Sequence, residues 1–104
     1  MEYTDVFTLE WRDFEIEVSF IKSYLPSYEE IDGYCMSHIE IRTISPPKAA
    51  LPITETGYRS IFMALPQIEA QGGVKTLVLN ELNRAAEKSE WKQKEINARQ
   101  YELF

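Results

Sequence analysis

The chain has one cysteine, Cys35, and one histidine, His38, among 104 residues. A lone cysteine excludes an intrachain disulfide and fits a reducing cytoplasm. A structural zinc site takes four Cys, His or carboxylate ligands at recognisable spacings, and that signature is missing. Cys35 and His38 do not make a nucleophile pair either, because strand residues three apart point to opposite faces. Cys35 reads as a small core residue and His38 as a surface strand residue near Glu40. Glycine is scarce too: the four glycines supply no GxxxxGK[ST] loop, and "EAQGGVKT" sets two of them before a helical stretch without that spacing. No apolar run approaches the ~20 residues of a membrane span. The acidic N-terminus, "MEYTDVFTLEW", lacks the basic-then-apolar layout of a signal peptide. No metal and no cofactor is expected.

Basic residues are also short, with 11 Lys and Arg against 17 Asp and Glu for a net charge of −6. The deficit sits at the front. Residues 1–41 hold ten acids and only Arg12 and Lys22, so −8, whereas residues 42–104 come to +2. Such a front half repels phosphate backbones, which argues against direct nucleic-acid binding. It suits a basic protein surface, or simply a solvated face that aids solubility.

The chain length fits one domain, residues 1–104. In "DVFTLEWRDFEIEVSF" apolar residues alternate with polar ones at the strand period. A two-residue turn at Arg12-Asp13 sets Trp11 opposite Phe14, Leu9 opposite Ile16 and Phe7 opposite Val18, gathering the large apolar side chains on one face. Arg-Asp is a poor pair for a type I′ turn, so a longer or bulged turn is an alternative. The same register pairs Glu10 with Glu15 and Thr8 with Glu17 on the other face. "YCMSHIEIRTI" reads as a third strand, closed by "SPP" because proline cannot donate to a ladder. A loop from Ser45 to about Gly57 follows, then "YRSIFMAL" as a short strand. "LPQIEAQGG" predicts a brief helix with proline at its start and glycines at its end. "VKTLVLNELNRAAEKSEW" carries an apolar stripe at helical spacing, and Ser89 is placed to cap a separate last helix. The expectation is an α+β domain: a small antiparallel sheet of three to four strands, made of the N-terminal hairpin plus the third strand, packed on one face by C-terminal helices.

Three groups of residues are candidates for function. The first is the acidic sheet face, Glu10, Glu15 and Glu17, placed to meet a partner protein. The second is the loop "TETGYRS": Thr54, Glu55, Thr56, Tyr58, Arg59 and Ser60. Arg59 is able to hold a carboxylate or phosphate with two parallel hydrogen bonds. The same residues equally serve as the loop's own bracing, Glu55 with Arg59, and that structural role is favoured. The third is the tail "QYELF", in which Gln100, Leu103 and Phe104 match the QL[SD]LF pattern by which bacterial proteins dock on the DNA polymerase sliding clamp. The favoured reading of Leu103 and Phe104 is that they cover an edge of the core.

"LPITETGYRS", "IEAQGGV" and a tail "W…ARQ…LF" together resemble small proteins of plasmids, phages and other mobile elements, over residues 39–104. Those proteins often carry histidine after the serine of this segment, where Ile61 stands here. The resemblance implies a genomic setting and no particular chemistry.

The first expectation is therefore a non-enzymatic protein-binding factor of a mobile element. It would engage a host protein, such as a basic nucleic-acid-binding component of a defence system, through the glutamate face. A replication-linked adaptor using the tail, and a small anion-binding protein or enzyme centred on residues 54–60, are the alternatives. Homodimerisation through a strand edge is compatible with all three.

Overall fold

In a computed structural model of the chain, residues 3–23 and 36–102 are described. Among them run β1 (Asp5–Trp11), β2 (Phe14–Ile21), β3 (Met36–Ser45) and β4 (Tyr58–Ala64), then α1 (Leu65–Ala70), α2 (Val74–Ala86) and α3 (Ser89–Glu102). The strands form one antiparallel sheet in the order β1-β2-β3-β4. This is the expected α+β domain, with "YRSIFMAL" supplying the fourth strand. Cys35 lies outside the described residues.

The hairpin register is the one the alternation dictates: Phe7 faces Val18, Leu9 faces Ile16 and Trp11 faces Phe14. Arg12 and Asp13 make the turn alone. Arg12 takes a φ of 55°, a conformation that costs a non-glycine residue of order 1 kcal/mol or more. Contacts elsewhere offset that cost. The Arg12 guanidinium lies 4.5 Å over the Trp11 ring and pairs with Glu95 of α3. A bulge does occur, but on β3: Glu15 faces Ser45 and Ile16 faces Thr43, leaving Ile44 as the extra residue.

One face of the sheet is the core. Ile16, Val18, Ile39 and Ile41 are wholly buried on it, and Leu77, Val78 and Leu82 of α2 meet them from above. Burying each such side chain contributes roughly 1.5–3 kcal/mol. Trp11, Phe14 and Trp91 cluster at the hairpin end, with ring centroids 6.0–6.2 Å apart. α1 carries proline in its first turn and ends in a glycine turn, where Gly73 N–H donates to the Ile68 carbonyl and Gly72 N–H to that of Glu69. Gly73 then opens α2, so two helices share one pivot. α3 is a separate last helix, as expected, but Ser89 is its first helical residue and not its cap, since Lys92 N–H donates to the Lys88 carbonyl. The helix buries Trp91 and exposes Ile96.

Candidate functional site

The face turned away from the helices collects alternate residues of all four strands in rows, even-numbered on β1 and β4, odd-numbered on β2, and even-numbered on β3 as far as its bulge. Glu10 pairs with Glu15 beside Ser45; Thr8, Glu17, Arg42 and Tyr58 form the next row. Val6, Ser19, Glu40 and Ser60 follow, and then Ile21, His38 and Phe62. Glu10 and Glu15 are exposed and opposite each other, a like-charge pair that costs a few tenths of a kcal/mol and is not neutralised by any described ion pair. Glu17 is different: Arg42 reaches its carboxylate at 3.4 Å. The glutamate face is thus an acidic end joined to a mixed centre.

Glu40 is the hub of that centre, with its side chain only 15% exposed. Tyr3 donates to Oε1 at 2.9 Å and Tyr58 to Oε2 at 3.0 Å. Arg42 Nη2 stands 3.8 Å from the same carboxylate and lies over the Tyr58 ring at 5.6 Å. Hydrogen bonding to the Glu40 carboxylate holds the Tyr3 phenol above its ordinary range, since ionising it would set two anions side by side. For Tyr58 the larger cause is desolvation against the sheet, followed by the same hydrogen bond.

His38 departs from the sequence expectation. It does sit near Glu40, with Nδ1 3.9 Å from Oε1, but it is 8% exposed instead of lying on the surface. Phe62 stacks on it, centroids 4.3 Å apart and planes 10° from parallel. Its Nε2 lies 2.6 Å from Ser60 Oγ. Ser19 and Ile21 are also buried at this end of the outer face, although Phe62 is exposed there, whereas Glu10 and Glu15 at the other end are both exposed.

The structure divides the "TETGYRS" residues instead of gathering them. Thr54 Oγ1 donates to the Tyr58 carbonyl at 2.7 Å, Thr56 Oγ1 to the same carbonyl at 3.3 Å, and Leu51 and Thr54 exchange backbone bonds. These two threonines brace the loop, and Gly57 fixes it to Thr43 through a 2.8 Å bond to its carbonyl. Glu55 is exposed, and the described ion pairs do not join it to Arg59. Strand alternation sends Tyr58 and Ser60 to the outer face and Arg59 to the helix side, beside Glu81 and Lys88 in a shallow cleft of about 270 Å³. A second cleft of about 260 Å³ lies between Thr54-Glu55 and Lys88, Trp91 and Lys94. Both are smaller than sites that enclose a drug-sized ligand, roughly 300–1,000 Å³.

The tail candidate is only partly described. Gln100 belongs to the backbone of α3, its side chain lies outside the description, and so do Leu103 and Phe104. Sequence reading missed the cluster of His38, Glu40, Tyr58, Ser60 and Phe62. Parity on each strand was visible, but joining the two strands needed the β3–β4 register, which residues 45–57 do not encode as a tight turn would. No helix of the described chain is long and apolar enough to cross a membrane.

No curated protein and no solved structure matches this chain. Residues 4–91 do match a family, described as the KlcB third domain, and the match takes in the whole sheet, α1, α2 and the Trp91 anchor. The chain belongs to the KlcB third-domain family.

Proposed function

We propose that this domain is an accessory factor of a mobile genetic element that binds a host protein with the open end of its outer sheet face. The carrying observation is the Glu10–Glu15 pair: two exposed carboxylates held opposite each other at a cost, with Glu17 in the next row. A face that keeps such repulsion gains when a cationic surface arrives, since association relieves it. Membership of the KlcB third-domain family and the resemblance to plasmid and phage proteins support the setting. The partner is a basic, nucleic-acid-binding protein, and occupying its groove would blunt whatever that groove does, a defence reaction included.

The test is capture from host lysate on the immobilised domain, read by mass spectrometry across a salt series. Basic nucleic-acid-binding proteins should be retained at low salt and released as salt rises. The double variant Glu10→Lys/Glu15→Lys should lose about tenfold or more of that retention. Equal retention by the double variant would rule out the acidic end as the binding surface.

A further inference from the structure

Ser60 and Glu40 face each other across β3 and β4, and His38 precedes Glu40 by two residues on the same outer face. Ser60 and His38 are in hydrogen-bond contact, and Glu40 stands on the far side of the imidazole at an ion-pair distance, not a hydrogen-bonding one. Ser60 Oγ is 2.6 Å from His38 Nε2, and His38 Nδ1 is 3.9 Å from Glu40 Oε1. The Phe62 stack fixes the plane of the imidazole, and two tyrosine hydroxyls fix the Glu40 carboxylate. A nucleophile within hydrogen-bond reach of a base, with an acid beyond the base, is the arrangement that activates a serine hydroxyl. Ser60 itself is half-buried, so part of the residue is open to solvent.

We propose that Ser60 is a nucleophile, with His38 as its general base and Glu40 as the residue that positions His38, reactive toward small activated acyl or phosphoryl esters. The negative charge of Glu40, on the Nδ1 side of the ring at 3.9 Å, favours the proton there through space and leaves Nε2 to accept from Ser60. Attack forms a bond from Oγ to the acyl carbon and breaks the bond to the leaving oxygen; the serine proton passes to Nε2 and on to that oxygen. Water then restores the serine by the reverse transfer. Exposed Tyr58 and Phe62 flank the row and suit an aryl ester.

The reaction is independent of partner binding and is read on the isolated domain. An alkyl fluorophosphonate is the probe: Oγ bonds to phosphorus, and fluoride departs with the serine proton. Peptide mass mapping of the unaltered protein should place the adduct on Ser60, formed about 100-fold faster than on exposed Ser45. His38→Gln should lose most of that advantage and Ser60→Ala all of it. Glu40→Asp, which keeps the charge, should retain more of the rate than Glu40→Gln, which keeps only the length. Labelling of Ser60 no faster than Ser45, or undiminished in His38→Gln, would overturn the assignment.

Discussion

Gly57 is the residue on which the long β3–β4 loop turns. Its φ is +78°, and a Cβ there would stand 2.6 Å from the Lys48 carbonyl carbon, a backbone atom that has no freedom to retreat. Gly73 also has positive φ, +100°, but open space where its Cβ would go. Gly57→Ala should therefore cost more than Gly73→Ala, about 3 kcal/mol against about 1–2, and thermal unfolding of the two variants measures the difference. Glu40 sets a second contrast. Tyr3 owes its raised pKa first to the Glu40 hydrogen bond, and Tyr58 owes its own first to desolvation. In Glu40→Gln, a spectrophotometric titration should show Tyr3 falling back toward the ordinary value of 10.0 further than Tyr58 does. The sign follows from linkage. A phenol whose folded pKa is raised lends its stability below the ordinary value and loses it as pH climbs through the folded one, so the contribution disappears only on the alkaline side.

At the scale of elements, the hairpin and α3 are held together by aromatic packing at one end of the core. Trp11 Nε1 donates to Asn83 Oδ1 at 2.9 Å, whereas Trp91 Nε1 is buried and finds no partner among the described residues. Trp91→Ala should cost roughly 3–5 kcal/mol through the cavity it leaves. Phenylalanine separates the two tryptophans: Trp11→Phe loses a hydrogen bond, and Trp91→Phe removes an unsatisfied donor. Chemical denaturation should find Trp11→Phe the more destabilising by about 1 kcal/mol. These elements were largely legible beforehand. Phe7, Leu9 and Trp11 against Phe14, Ile16 and Val18 admit only one register that buries them, and Pro66 and Gly72-Gly73 punctuate α1 unambiguously. The outer-face cluster was not legible, because alternation gives parity within a strand and says nothing about which residues of β3 and β4 stand side by side. The division of Arg59 from Tyr58 and Ser60 has the same origin: in an extended chain, neighbours in sequence part company in space.

Across the whole molecule, charge is sorted along the sheet. Two of the ten acids in residues 1–41, Glu10 and Glu15, make the open end, while Glu17 and Glu40 are drawn inward by Arg42 and the tyrosines. Capture of a cationic partner should accordingly depend on the hairpin end: association should slow as ionic strength shortens the screening length from ~10 Å at 0.1 M, with dissociation changing less. Stopped-flow or surface-based kinetics on a captured partner would read that split. The placement of Tyr3 bears on how such experiments are built. Its hydroxyl grips Glu40 from two residues behind Met1, whereas Gln100 is nine residues along α3 from the Trp91 anchor. A fluorophore or affinity handle placed beside Tyr3 would lean on the carboxylate hub, so reporters belong away from that contact.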